Sequence, residues 1–373
     1  MEKVLIVRLG AMGDVLHALP AAAALRRAHP DVEMGWLVEE RWAELLHARG
    51  SPPHPHRSVQ KPLVDAIHLA DTRLWRRDWV RGWRGALELR RELRDAGYDL
   101  VIDLQGALKS AALARMAGKN VTGPAAPRES AAAWFYSQKI VASAQHIVDQ
   151  SIEVALAAKS AAAASPQMNL RPTPDLLPSD PAAERWCDSE LARRTIKMNA
   201  SRFAVLNPGA GWGAKVWPAG RYGEVASALA REGVASIINA GPGESALASE
   251  VEAASNGAAE RIGCSIGQLI ALIRRAALFV GGDTGPMHLA NALGVPVVAL
   301  FGPTDPARNG PYYKPSVVLR NAGSTTSYSH AAAEDAGLAQ ISAGEVIEAA
   351  LGLLRTAATH RAIPPTPAKE NKP

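Results

Sequence analysis

Short apolar runs alternate with helical patterns in both halves of this chain, and this alternation limits the possible folds more than any other feature. In the first half the apolar runs are residues 4–7, 32–38 and 100–104. In the second half they are residues 203–206, 235–239, 278–280 and 297–301. Helical patterns lie between them, for example at residues 15–28 and 86–96. Because strands alternating with helices form parallel sheets covered by helices on both faces, we predict an α/β, doubly wound fold.

A change in composition separates the two sets of strands. Residues 161–180 are rich in Ala, Pro and Ser. A chain of 373 residues also exceeds the usual size of one hydrophobic core. We therefore predict two Rossmann-like domains, at residues 1–165 and 166–345, followed by a helix at 346–360 and a disordered tail at 361–373.

Positive charge is concentrated in one segment. The chain has a net charge of +5, which favours anionic partners. Between Arg73 and Arg94, eight arginines accompany only three acidic residues, an excess equal to that net charge. In the same segment an apolar residue recurs every fourth position, at Trp75, Trp79, Trp83 and Leu87, which on one helix predicts a single drifting apolar stripe. The pattern fits either a core-facing aromatic stripe beside solvated arginines or a surface that binds an anionic substrate embedded in a membrane.

The cysteines and the hydropathy limit the cellular setting. Only Cys187 and Cys264 are present, far apart, so neither a disulfide framework nor a cysteine-based zinc site is expected. The first apolar run is too short for a signal peptide, and no run of 18 apolar residues indicates a transmembrane helix. We therefore expect a reducing, cytoplasmic environment.

The first glycine-rich turn reads Gly-Ala-Met-Gly-Asp-Val-Leu-His from Gly10 to His17. Glycines allow the backbone to approach a ligand closely, and the start of a helix offers unpaired N–H groups. The spacing is not that of the GxGxxG dinucleotide fingerprint. Asp14 is either a general base that takes a proton from an attacking hydroxyl or an N-cap of the following helix.

A second turn follows a buried apolar run and reads Gly-Gly-Asp-Thr-Gly-Pro-Met-His from Gly281 to His288. Backbone amides, a hydroxyl and an imidazole would converge there, as a diphosphate site requires. A well-capped helix with proline in its first turn would explain part of the pattern. The run Gly-Gly-Asp-Thr-Gly exceeds what capping needs, so we predict a diphosphate site.

A third candidate loop covers residues 207–218 and also follows a predicted strand. Its three glycines, at 209, 211 and 213, form a loop able to wrap an anion. Lys215 is either a solvated surface lysine or a group that neutralises phosphate charge. Its position at the carboxyl end of a strand, where doubly wound folds bind ligands, keeps the second interpretation open.

Taken in order, five segments resemble the lipopolysaccharide heptosyltransferases of glycosyltransferase family 9, in particular those that add the first heptose. The segments are MGDVLH at residues 12–17, VIDLQG with KS at 101–110, RE with FY at 128–136, KVWP at 215–218 and GDTGPMH at 282–288. The resemblance extends from about residue 3 to about residue 350.

The resemblance implies a GT-B architecture, with an N-terminal acceptor domain, a C-terminal donor domain and a final helix that packs back across the cleft between them. It implies an inverting transferase that moves L-glycero-D-manno-heptose from ADP-heptose to a Kdo residue of Kdo-lipid A in inner-core biosynthesis. No metal or other cofactor is expected. The corresponding expectation is a cytoplasmic monomer, attached peripherally to the inner face of the cytoplasmic membrane, with no nucleic-acid partner.

Matching positions carry the family's functional residues onto this chain. Asp14 would be the general base and Lys215 the group that stabilises the departing ADP. The donor-binding residues would be Gly211, Lys215, Glu244, Asp283, Thr284, Gly285 and His288. The acceptor-binding residues would be Arg73, Arg76, Arg77 and Arg128. Relatives carry hydroxyl residues shortly before the lysine, where this chain has glycines and Trp212, and the Pro/His-rich stretch at 51–56 is an apparent insertion.

Three alternatives remain at this stage. The first is heptosyltransferase II or another ADP-heptose transferase of the same family. The second is a non-catalytic protein that binds a nucleotide sugar or a membrane surface on the same scaffold, since a fold does not establish an activity. The third is a nucleic-acid-binding protein, although no recognition module is present in the sequence.

Overall fold

The computed structural model describes residues 2–51, 57–159, 172, 174–198, 200–327 and 335–362. Within these ranges the chain forms two six-stranded parallel sheets, one from each half of the sequence. The predicted domain boundary at residues 165 and 166 lies outside the described residues. So do the stretch at 52–56 and the tail from residue 363 onward.

The first sheet contains the strands β1 (Lys3–Val7), β2 (Glu33–Glu39), β3 (Ala66–Ala70), β4 (Leu100–Asp103), β5 (Val121–Pro124) and β6 (Gln138–Ile140). Their spatial order is β3-β2-β1-β4-β5-β6, and every neighbouring pair is parallel. The chain therefore begins in the middle of the sheet and fills one side before the other. This confirms the doubly wound prediction for the first half.

Five helices accompany this sheet: α1 (Met12–Ala28), α2 (Thr72–Arg77), α3 (Trp79–Ala96), α4 (Leu108–Ala117) and α5 (Ile147–Ala157). Short 3₁₀ helices occur at Glu40–Leu45 and Ser130–Phe135. The start of α1, three residues before the predicted helix, places Asp14 inside its first turn.

The tryptophan pattern predicted for one helix lies on two. Asp78 separates α2 from α3, because its side chain accepts two backbone N–H groups and caps the start of α3. Trp75 is half-buried against the glycines of α3, whereas Trp83 is 67% exposed. The expected single apolar stripe is therefore wrong, because the helix breaks at Asp78 and Trp75 packs on α3 while Trp83 is exposed.

The second sheet contains the strands β7 (Arg202–Asn207), β8 (Val234–Asn239), β9 (Ala259–Ile262), β10 (Leu278–Gly282), β11 (Val297–Phe301) and β12 (Ser316–Arg320). Their order, β12-β11-β10-β7-β8-β9, repeats the topology of the first sheet. The helices of this half are α6 (Pro181–Met198), α7 (Ala219–Arg231), α8 (Ser245–Ala254), α9 (Ile266–Arg275), α10 (Gly285–Ala292), α11 (Pro306–Asn309), α12 (Ala336–Gln340) and α13 (Ala343–Ala362). Short 3₁₀ helices occur at Pro174–Leu176 and Gly213–Lys215.

One apolar core runs through both halves. Alternate side chains of a strand point to opposite faces of its sheet, so Val4 and Ile6 pack on one face of β1 while Leu5 and Val7 pack on the other. The cluster that contains Ile6 continues through α1 into the second half, where it includes Phe279. The two units therefore share buried apolar surface beside the cleft.

The final helix packs on the second sheet. Its buried side chains, Val346, Ala350, Leu353 and Leu354, belong to the same apolar cluster as Tyr222 of α7. The helix also contacts strands β10 to β12. The described part of its apolar face is therefore used within its own unit, and its packing back across the cleft stays a prediction.

Candidate active site

A cavity of about 880 Å³ lies between the two units. Its lining includes Arg8 and Asp14 after β1, Gln105 after β4, Lys215 after β7 and Asp283 after β10. The carboxyl ends of central parallel strands are where doubly wound sheets bind ligands. Because both units present that edge to one cavity, it is the candidate active site.

Asp14 occupies the first turn of α1, with its side chain 34% exposed. Its Oδ1 lies 3.0 Å from Nη2 of the buried Arg8, and its Oδ2 accepts the backbone N–H of Ala11 at 3.0 Å. The carboxylate thus helps to satisfy the start of the helix, but from inside the first turn and not from the N-cap position. Each carboxylate oxygen has a second lone pair, so a hydroxyl in the cavity can still donate to it.

Lys215 is paired with a buried carboxylate on the other wall. Its Nζ lies 2.6 Å from Oδ2 of Asp283, and the two side chains are only 13% and 7% exposed. Burial alone would raise the pKa of Asp283, but hydrogen bonding and charge from His288 and Lys215 outweigh burial and hold that pKa below its usual value. Asp283 is therefore ionised, and Lys215 has a fixed position at the cavity.

His288, on the first turns of α10, links this pair to the other unit. Its Nε2 lies 3.1 Å from Oδ1 of Asp283, and its Nδ1 lies 3.0 Å from Nε2 of His17 on α1. Burial, followed by the nearby His288, His146 and Arg8, lowers the pKa of His17 well below 6.5. His17 was not among the predicted site residues. The available signal was its spacing of three from Asp14, which puts both on one face of the helix.

The first turns of α1 and α10 are in direct contact at the cavity. A Cβ atom on Gly13 would lie 2.8 Å from a ring carbon of His288, and one on Gly285 would lie 2.6 Å from Cβ of Met12. Neither position has room for a side chain without movement of its neighbour. The first turns of α1 and α10 therefore meet through two glycines, and this contact brings Asp14 and the donor-side residues to one cavity.

The predicted diphosphate residues Gly211, Thr284 and Gly285 all line the cavity. Thr284 is the N-cap residue of α10, but its side chain does not cap the helix, and its hydroxyl donates to the Gly282 carbonyl at 3.3 Å. A side chain at Gly211 would meet no described atom within 4 Å, so packing does not explain that glycine. Because the Thr284 hydroxyl does not cap the helix, the start of α10 can still offer backbone N–H groups to an anion, except at Pro286, which has none.

Glu244 is not among the residues that line the cavity. It precedes α8, where its Oε2 accepts the backbone N–H of Gly241 at 2.8 Å. A Cβ atom on Gly209 would lie 2.1 Å from its carboxyl group. The glycines at 209 and 241 thus make room for this carboxylate, and its contact with a nucleoside stays a prediction.

The four predicted acceptor arginines lie in different places. Arg128 lines the cavity, next to the 3₁₀ helix at Ser130–Phe135. Arg73 and Arg77 are exposed on α2 and are not among the cavity-lining residues. The side chain of Arg76 lies outside the described part of the chain. Of the described arginines in this group, only Arg128 stands at the cavity.

The motif at residues 103–110 supports the cavity wall. Asp103 is fully buried and accepts hydrogen bonds from the Ser110 hydroxyl at 2.9 Å and the Tyr136 hydroxyl at 2.8 Å. Burial raises the pKa of Asp103, and the hydrogen bonds to its carboxylate partly offset that rise. The next loop carries Gln105, whose Oε1 accepts the N–H of Leu9 at 2.8 Å and joins β4 to the turn after β1.

Two absences hold for the residue ranges that the structure describes. These ranges contain no group of three or more His, Cys, Asp or Glu side chains placed to hold a metal ion. In the same ranges, no helix has the length and apolar character needed to cross a bilayer.

Comparison with known proteins places the chain in a family. Residues 86–335 match glycosyltransferase family 9 (heptosyltransferase). Lipopolysaccharide heptosyltransferase 1 of Pseudomonas aeruginosa is 31% identical over 324 residues, covering 85% of this chain and 83% of that protein. The enzyme of the same name from Escherichia coli K12 is 31% identical over 327 residues, covering 85% and 93%.

A solved structure gives the same result for the fold. E. coli heptosyltransferase WaaC with ADP-2-deoxy-2-fluoro heptose superposes with a TM-score of 0.69 at 28% identity, covering 93% of this chain and 98% of that one. The match confirms the predicted GT-B architecture of two facing doubly wound sheets. The chain therefore belongs to glycosyltransferase family 9, the heptosyltransferases.

Proposed function

We propose that this protein transfers L-glycero-D-manno-heptose from ADP-heptose to a Kdo residue of Kdo-lipid A, with inversion at the anomeric carbon. One observation carries the proposal: Asp14 of the first unit and the Lys215–Asp283 pair of the second line the same cavity. A carboxylate that can accept a proton and a cation that can offset a leaving diphosphate thus occupy opposite walls.

The donor is proposed to bind the second unit. The similar WaaC protein was solved with an ADP-heptose analogue. Here the start of α10, the glycine loop at 209–213 and Lys215 provide N–H groups and positive charge, as a diphosphate requires. Asp283 holds Lys215 in place and is itself bonded to His288, and both residues would face the sugar. Glu244, beside Gly241, would contact the nucleoside.

The two opposite walls of the cavity supply the groups that the transfer needs. The acceptor hydroxyl donates its proton to the Asp14 carboxylate while its oxygen forms a bond to the anomeric carbon. The bond between that carbon and the phosphate oxygen breaks, and the electron pair leaves with ADP. Lys215 stabilises the charge that develops on the departing oxygen. Attack from the face opposite the leaving group inverts the anomeric configuration.

The acceptor is proposed to enter from the first unit. Arg128 lines the cavity there and would pair with a Kdo carboxylate or a phosphate, for which a guanidinium is well suited. Arg73, Arg76 and Arg77 would contact more distant anionic groups. We further propose a cytoplasmic monomer attached peripherally to the inner face of the cytoplasmic membrane. Flotation with liposomes rich in phosphatidylglycerol tests that attachment, and a protein that stays at the bottom of the gradient would contradict it.

Release of ADP from ADP-heptose, measured with and without Kdo-lipid A stripped of its acyl chains, tests the activity. We expect release to depend on the acceptor. Asp14→Asn should lower turnover at least about 100-fold, the lower range for loss of a general base, while ADP still binds. Asp95→Asn, at an exposed position on α3, is the matched control and should behave as the wild type.

Two results would change the proposal. Turnover on an acceptor that already carries one heptose, and not on Kdo-lipid A, would assign the second transfer step instead. Near-wild-type turnover of Asp14→Asn would reduce this carboxylate to a helix-stabilising role.

A further inference from the structure

The geometry points to His17 as a positioning residue, which holds the donor-site imidazole of His288 from the acceptor side of the cleft. This inference rests on the proposed function, because His288 and its partner Asp283 belong to the proposed donor site. His17 is almost fully buried on α1, and its Nε2 lies 3.0 Å from Nδ1 of His288 on α10. The hydrogen bond therefore joins the two units directly beside the cavity.

The protons of this chain of contacts can be placed. Asp283 is ionised and can only accept, so Nε2 of His288 carries a proton and donates it at 3.1 Å. If His288 is neutral, its Nδ1 has a lone pair and Nε2–H of His17 donates to it. If His288 is cationic, its Nδ1–H donates to a neutral His17. In both states His17 fixes the orientation of the His288 ring and, through it, the carboxylate that holds Lys215.

The bond depends on the close approach of the two helices. Gly13 lies against His288 and Gly285 lies against Met12, with no space for a Cβ atom at either glycine. His17 is one turn beyond Gly13 on α1, so it reaches His288 only when the first turns of α1 and α10 meet. The same contact sets Asp14 against the donor site. His17 thus couples the position of the leaving-group residues to the position of the base.

The other groups around His17 do not replace it. The His146 ring centre is 6.2 Å from that of His17, and Nε2 of His146 bonds to the Gly310 carbonyl at 3.0 Å. Arg8 and Asp283 also face His17, but Arg8 pairs with Asp14, and Asp283 with His288 and Lys215. Without His17, Nδ1 of His288 would lose its hydrogen-bonding partner on α1.

The test compares His17→Leu with His17→Gln. Leucine fills space but cannot bond, whereas the glutamine amide can donate to Nδ1 of a neutral His288. We expect His17→Leu to lower kcat about tenfold, the upper range for one hydrogen bond, with the donor KM and the ADP affinity within about twofold of wild type. His17→Gln should recover at least about half of the wild-type kcat. His47→Leu is the control, because that imidazole bonds to Ala48 and Ser51, away from the cleft.

A second readout does not require turnover. In protein labelled with ¹⁵N-histidine, the ring-nitrogen resonances of His288 should shift in His17→Leu and return toward wild type in His17→Gln. An inactive wild type would refute the proposed transferase activity but leave this measurement intact. Unchanged His288 resonances with unchanged kcat in His17→Leu would overturn the inference. Equal losses in the Leu and Gln variants, or a loss confined to KM, would overturn it as well.

Discussion

Replacing Lys215 by Met should destabilise the unliganded protein. The substitution keeps a similar side-chain volume but removes the ammonium group 2.6 Å from Asp283, in a pair that is only 13% and 7% exposed. Breaking a buried ion pair costs roughly 3–5 kcal/mol, because the remaining charge is left without compensation. His288 still bonds to Asp283, so we take the lower value of about 3 kcal/mol. For a unit of this size that corresponds to a fall in Tm of roughly 6–12 °C.

The double variant separates charge from packing. Adding Asp283→Asn to Lys215→Met removes the uncompensated charge, so part of the lost stability should return even though a second residue has been changed. Differential scanning calorimetry at pH 7.5 without nucleotide measures both variants. A Tm of Lys215→Met within about 2 °C of wild type would refute the reasoning. So would a double variant that is less stable than the single one.

Two further predictions concern the acceptor side and pH. Arg128→Gln should raise the acceptor KM about tenfold, through loss of one charge-assisted hydrogen bond, and leave ADP affinity unchanged. Arg73→Gln, outside the cavity, should have a smaller effect, and equal effects would contradict the assignment. Burial lowers the pKa of His17 in the folded protein, and nearby imidazole and guanidinium groups lower it further. Burial also lowers the pKa of His146, although its bond to the Gly310 carbonyl opposes that shift. The unfolded chain therefore binds more protons, so stability present above about pH 6.5 should be lost as pH falls below that value. Urea unfolding at pH 7.5 and 5.5 measures the loss. The loss of stability between the two pH values should be smaller in His17→Gln than in the wild type. The same pH dependence in both proteins would count against a buried neutral His17.

The sequence predicted the central strands better than those at the margins. β1, β2, β4, β7, β8, β10 and β11 were expected within one or two residues. β3, β6, β9 and β12 lie at the edges of the two sheets, and β5 lies next to an edge. Such strands are short or carry exposed positions, as at Gln138–Ile140, so their apolar pattern is weak. The prediction of one helix from the tryptophan spacing was wrong for a related reason. A regular spacing does not reveal that a single capping aspartate, Asp78, ends one helix and starts the next.

For the site, the motifs predicted some of the residues that line the cavity but not how they are paired, and Arg73, Arg77 and Glu244 do not line it. Asp14, Lys215, Asp283 and Arg128 all line one cavity, whereas their roles in it stay predictions. The sequence left open whether Asp14 acts as an N-cap, because that depends on where α1 begins. It also gave no sign that His17 and His288, 271 residues apart, share a hydrogen bond. That contact exists only through the packing of α1 on α10.

The close contacts of Gly13 with His288 and of Gly285 with Met12 also limit which halves of such proteins can be exchanged. A chimera that joins this acceptor unit to a donor unit from another protein must present a surface without a side chain opposite Met12. A Cβ atom at that position would lie 2.6 Å from Cβ of Met12, so even an alanine would force the two halves to shift, although each half could fold with its sheet intact. Compatibility between donor and acceptor modules is thus a question of steric fit at two backbone positions, which can be checked before any contact with substrate is considered.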